Sequence, residues 1–262
     1  RGMESNRILM MRDNVSLPKR YEFSSSLGRA DYVDLNTLKS VEILKGPASS
    51  LYGSDALGGV ITYRSLYPED LLTSDETFKI EVPVNYDGSD SSTQGALRIA
   101  IREEDSGIEA VVVASKANGE ELDVKADKKY INDNENSKQS IYTNIVKNIN
   151  DYTRLNFIYE NVDKESDTTA KQDNLSSSYS AVTEEKDITR WMANLGYEYD
   201  NSESNQFFNY AKINLFVQDA DFSDDSTVDY ATSVSRYTGR TTPGYRNVND
   251  NDLKDESKGF NI

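Results

Sequence analysis

The sequence predicts a small α+β unit over residues 1–72, followed over residues 73–262 by antiparallel strands of a transmembrane β-barrel. Three observations predict it. The apolar period changes to two after Leu72, the connections between the later strands alternate short with long, and strand-length apolar faces occur where membrane-helix lengths do not. A membrane helix needs roughly 20 apolar residues, whereas a spanning strand needs only about 9 to 11, apolar on one face.

In the opening unit, apolar strands are expected at 7–11, 41–44 and 60–63. Residues 34–40 have helical spacing, with Leu35 and Leu38 on one side, and 47–51 reads as a short turn or helix. Gly46, Gly53, Gly58 and Gly59 sit where the chain reverses, positions that favour a residue without Cβ.

Beyond Leu72, Phe78, Ile80, Val82, Val84 and Tyr86 alternate with Lys79, Glu81, Pro83 and Asn85. The same alternation runs through Leu97, Ile99 and Ile101, through Leu155, Phe157 and Tyr159, and through Trp191, Ala193, Leu195 and Tyr197. Strands are therefore expected at 77–86, 94–102, 107–118, 138–147, 151–162, 186–199, 205–219 and 256–262. After a first tip at 87–93, the connections run short at 103–106, 148–150 and 200–204, and long at 119–137, 163–185 and 220–255. Outer-membrane barrels have this asymmetry of tight turns at one end and long loops at the other. A soluble β-sandwich also alternates. Against it stand strands of up to about 14 residues where soluble ones run nearer 5 to 6, Tyr and Trp toward strand ends, and long loops on one side only.

Composition removes whole classes of chemistry. The chain has no Cys and no His, which excludes thiol nucleophiles, disulfides and imidazole-based catalysis. With 29 Lys and Arg against 45 Asp and Glu, its formal charge of -16 repels nucleic acid. Neither P-loop nor Rossmann spacing accompanies the glycines. The start at Arg1 and the end within an apparent strand at Phe260 read as those of a fragment.

The stretch SVEILKGPASSLYGSDALGGVITYRS, from Ser40 to Ser65, resembles the end of the plug domain of TonB-dependent outer-membrane receptors, and within them the haem and haemoglobin receptors. Arg1-Gly2 ahead of an apolar strand ending at Asp13 is similar to the start of that plug, with Asp13-Asn14 where the family usually has Asp-Gly. The resemblance implies an importer, not an enzyme. Its ligand would contain iron, as haem or haem from haemoglobin. The protein would lie in the bacterial outer membrane, against lipid and lipopolysaccharide, meeting TonB through a box preceding Arg1 and a haem-carrying host protein outside. A siderophore or cobalamin receptor is the alternative within the family, and an adhesion or structural barrel is the alternative outside it. Eight strands would be the first of the roughly 22 that plugged transporters need, leaving most of the wall beyond Ile262.

The resemblance also implies site residues. Contacts from plug to barrel wall fall to Arg1, Lys39, Glu42 and Lys45. Ligand contacts fall to the outward loop bearing Lys19, Arg20, Tyr21, Phe23 and Arg29, and to the turn with Tyr52 and Ser54, whose aromatic and cationic groups suit an anionic chelate or porphyrin. Haem iron is commonly held by His. Without one, its ligands lie further along the wall, or Tyr serves, or the cargo is another chelate. The acidic loops expected at 123–135 and 219–229 offer oxygens suited to Ca²⁺, or a solvated surface meeting lipopolysaccharide through divalent cations.

Overall fold

The computed structural model describes residues 8–18, 22–23, 26–27, 32–52, 56–120, 132–170, 179–201 and 209–261. Its first unit is a four-stranded sheet in the order β2-β1-β6-β5. Strand β1 (Ile8–Arg12) turns back into β2 (Val15–Ser16) through Asp13 and Asn14, whose φ values of 46° and 71° give the twist a two-residue hairpin needs. β1 pairs in parallel with β6 (Gly59–Ser65), and β5 (Leu38–Lys45) pairs antiparallel on its other side. The pairs β3 (Glu22–Phe23) and β4 (Ser26–Leu27) form a separate short hairpin. The helix α1 (Ser49–Tyr52) occupies the expected 47–51 turn.

The helical spacing at 34–40 yields only one 3₁₀ turn, Leu35–Thr37, capped by the Asp34 side chain on the Asn36 N–H. Leu38 already belongs to β5, because pairing along β6 claims its backbone. Gly46 has φ 113° and donates its N–H to the Gly58 carbonyl. Gly59 has φ 147°, and a Cβ there would lie 2.5 Å from the Leu44 carbonyl oxygen. Gly59→Ala is therefore expected to lower stability by more than about 1 kcal/mol, read as a shift in the urea midpoint; an unchanged midpoint would mean that β5 and β6 separate at no cost. Gly53 lies outside the described residues.

After the 3₁₀ turn Pro68–Asp70, the chain builds one open antiparallel sheet in the order β17-β14-β13-β12-β11-β10-β9-β7, with β8 also on β9. Its strands are β7 (Phe78–Glu81), β8 (Val84–Asp87), β9 (Ser92–Glu103), β10 (Ile108–Gly119), β11 (Asp133–Asn150), β12 (Thr153–Thr169), β13 (Tyr179–Asp200), β14 (Tyr210–Tyr230) and β17 (Arg246–Asn261). Between the last two, β15 (Ser233–Val234) and β16 (Thr241–Thr242) form a small hairpin. The expected strand at 77–86 is split around Pro83, which has no N–H for the ladder. Tight turns at 104–107 and 151–152 lie at one end of the sheet, together with the 201–209 connection, expected as a short turn at 200–204, of which 202–208 lie outside the described residues. The connections 120–132, 170–178 and 231–245 lie at the other end. Those connections are shorter than expected, because the strands continue: β13 has 22 residues and β14 has 21. The segment Asp219 to Asp229, expected as a loop, lies within β14, and residues 133–135 lie within β11.

Register fixes what each face carries. One row across the sheet is Phe78, Ile101, Ala110, Ile145, Phe157, Leu195, Leu215 and Phe260, each directly opposite the next. Every large side chain in this row is exposed, Leu215 at 54% and Phe260 at 67%. The sheet thus shows an apolar belt outward, as lipid requires. Farther along the same face, Glu135, Asp167, Glu185, Asp225 and Asp250 stand opposite one another in an exposed carboxylate row. Alternate residues face the opening unit, where Val15, Leu66, Leu71 and Leu72 bury against Val111, Val113, Tyr142, Ile158 and Met192. No described helix is long and apolar enough to cross a membrane.

Candidate functional site

The opening unit is fastened to the inner face of the sheet by a buried charge network. Arg12 ends β1, and its side chain turns to the wall rather than to solvent. Nε donates to Ser65 Oγ at 2.9 Å and Nη2 to Thr37 Oγ1 at 3.0 Å. Nη1 donates to Glu160 Oε1 on β12, and the guanidinium lies 5.1 Å from the Tyr142 ring centroid. Glu160 Oε2 accepts from Arg190 Nη1 of β13 at 2.7 Å. Arg190 also donates Nε to Gln218 Oε1 of β14 at 3.3 Å, and Gln218 Nε2 returns to the opening unit at the Ser16 carbonyl, 2.7 Å away. Arg12, Glu160 and Arg190 are all 0% exposed.

Alternation explains the wall half. Glu160, Arg190 and Gln218 occupy inward positions of their strands, and Glu160 stands directly opposite Tyr142 and Met192. Two guanidiniums share one carboxylate, so the network is complete only while all parts stay together. A buried pair contributes little net stability when intact but costs much when broken.

A second fastening centres on Asp34, which is 1% exposed. Its Oδ2 accepts from Ser115 Oγ on β10 and from Ser140 Oγ on β11, the latter at 2.5 Å. Its Oδ1 accepts from the Asn36 N–H at 2.9 Å. Nearby, Lys138 Nζ donates to the Val33 carbonyl at 2.5 Å, and Tyr142 Oη donates to the Leu66 carbonyl at 2.6 Å. Carbonyls of the opening unit thus find donors on the wall, as buried polar groups must.

The site residues expected from sequence are arranged differently. Lys39 Nζ meets Asp70 Oδ1 at 2.5 Å, and its hydrogen bond to that carboxylate raises the Lys39 pKa. Glu42 takes both Nε and Nη2 of Arg64, at 2.5 and 3.0 Å, and this bond lowers the Glu42 pKa. Both partners lie in the opening unit, not on the wall. Lys45 is exposed, and Arg1 lies outside the described residues. Tyr52 ends α1 with 42% exposure. Phe23 has its backbone in β3, while Lys19, Arg20, Tyr21, Arg29 and Ser54 lie outside the described residues. Along β14, Asp219, Asp221, Asp225 and Asp229 share the outward parity and Asp224 has the inward one. Among the described residues no group of three or more acidic side chains could hold a metal.

Arg12, Asp34, Glu160 and Arg190 carry the fastening, and sequence reasoning did not single them out. The signal available was position: Glu160 and Arg190 are ionisable residues on the inward face of strands that carry the apolar belt on the other.

The family described as TonB-dependent Receptor Plug Domain matches residues 1–60. Transferrin-binding protein A of Neisseria meningitidis is 29% identical over 136 residues, 48% of this chain and 15% of that protein. Heme/hemopexin utilization protein C of Haemophilus influenzae is 33% identical over 86 residues, 33% of this chain and 12% of that protein. The chain thus spans only a small part of the curated relatives it matches. In fold, it superposes on the Serratia marcescens hemophore receptor HasR, solved with its hemophore HasA and heme, with a TM-score of 0.52 at 11% identity, covering 98% of this chain and 53% of that one. Residues 1–60 thus carry the plug domain of TonB-dependent receptors, and the antiparallel strands behind them share the fold of that receptor.

Proposed function

We propose that the protein imports an iron-containing ligand, haem or haem taken from haemoglobin, across the bacterial outer membrane in a TonB-dependent manner. The observation that carries the reading is the seat of the plug: it is held on the inward face of strands whose outward face is an apolar belt. Residues 1–72 act as the plug and 73–262 as the beginning of the wall. The Arg12, Glu160 and Arg190 network keeps the plug seated until TonB, drawing energy from the inner membrane, pulls it out of register. Lys19, Arg20, Tyr21, Phe23, Arg29, Tyr52 and Ser54 are the proposed ligand contacts on the plug's outward side. Haem is favoured over other iron chelates by the relatives named for heme and hemopexin use.

Growth on haemin or haemoglobin as sole iron source tests this. Cells carrying the whole gene are expected to grow, and cells lacking either the gene or TonB are expected not to. Growth without TonB would leave an adhesion or structural barrel as the reading. Uptake of a ferric siderophore but not of haemin would change the cargo alone.

A further inference from the structure

Far beyond the apolar belt, three tyrosines from separate strand ends come together. Tyr179 opens β13, Tyr230 closes β14 and Tyr245 immediately precedes β17. The rings of Tyr230 and Tyr245 are stacked, with centroids 4.3 Å apart and planes 12° from parallel. Tyr179, opposite Tyr230 in register, tilts onto it at 5.1 Å and 56°. The backbone is built for this. Tyr230 N–H donates to the Tyr245 carbonyl at 2.8 Å, and a Cβ at Gly244 would collide with the Tyr230 carbonyl oxygen, so only glycine lets the strands close here.

These tyrosines are not a membrane girdle. Tyr230 is 15 residues past Leu215 of the belt, about 50 Å along an extended strand. It also has the inward parity of Gln218 and Phe222, which face the plug, and β14 keeps that parity to its end. The stack therefore stands at the outer rim on the lumen side. Tyr245 is 59% exposed, leaving ring surface open. Above it rises the β15–β16 hairpin, where Ser235 accepts from the Gly239 N–H at 2.9 Å and Gly239 has φ 66°. Residues 231–245 contain no Asp or Glu in a chain with 45, and the hairpin tip displays Arg236 and Arg240 beside a wholly exposed Tyr237.

We propose that this rim is a first-contact site for a planar, conjugated, anionic iron chelate of the haem class. The ligand ring continues the Tyr230–Tyr245 stack, and its carboxylates meet Arg236 and Arg240. Offset aromatic stacking and charge-assisted hydrogen bonds suit that ligand and no compact, non-planar one. The proposal rests on the haem reading above and gives it a place on the receptor.

Haemin and metal-free protoporphyrin IX, titrated into the whole receptor and followed by absorbance, test it. Tyr230→Leu with Tyr245→Leu is expected to weaken both probes at least fivefold, while Tyr230→Phe with Tyr245→Phe keeps both. Arg236→Ser with Arg240→Ser is expected to weaken both at low salt. Unchanged binding in the Leu variant overturns the platform, as does loss of haemin alone, which would mean iron ligation rather than stacking. A wild-type receptor that binds neither probe overturns it too. Growth on haemin separates the two ideas: growth with an overturned platform preserves haem import, and failure to grow removes both.

Discussion

Glu160→Ala is expected to loosen the plug from the wall far more than Arg12→Met. Removing Glu160 leaves Arg12 and Arg190 buried together with no carboxylate between them, at a cost of about 3 to 5 kcal/mol. Removing Arg12 leaves Glu160 still paired with Arg190 at 2.7 Å. The Thr37 and Ser65 hydroxyls then lose a donor, costing about 1 to 3 kcal/mol. Thermal unfolding of the receptor, with protease cleavage of the plug as second readout, should give that order. Equal losses would show that the two guanidiniums do not depend on one shared carboxylate.

Leu215→Arg is the second large effect expected. At 54% exposure, this side chain would tolerate a charge on a water-facing surface within about 0.5 kcal/mol. In the middle of a lipid-facing belt the same change costs about 2 to 4 kcal/mol. Reversible folding into bilayers, compared with Leu215→Ala, measures the difference. Inward neighbours give an internal control, since Asn214 and Phe216 alternate with Leu215 on the plug side. A near-zero cost for the arginine would mean that the belt meets water, and the barrel reading would fall.

The belt was legible in the sequence because lipid on one side and protein on the other impose a period of two. Phe157, Leu195 and Leu215 announce themselves against Asn156, Asn194 and Asn214. Turn chemistry was legible for the same kind of reason: Gly46 and Gly59 adopt backbone that other residues avoid. The upper halves of the strands were not legible. Above the belt the outward face is polar and the inward face mixed, as in 163–169, 181–187 and 220–230, so the alternation weakens while backbone pairing continues. The fastening was hidden because its members are far apart in sequence. Arg12 and Glu160 are separated by 148 positions, and no spacing rule connects them. Lys39 and Glu42 sit where wall partners were expected, yet Asp70 and Arg64 are nearer along the chain and engage them first.

The carboxylate row from Glu135 to Asp250 has a mechanical consequence. It runs parallel to the oily row through Leu215, ten residues up the same outward face of β14, so the two act together as a draught mark on a hull. Sinking the wall deeper would drag ionised oxygens into hydrocarbon, at a few kcal/mol for each group submerged; raising it would strip lipid from Phe260 and Leu195. In the import cycle proposed above, an external tug on the plug would meet a scaffold that cannot bob with it, and the work would go into unseating the plug.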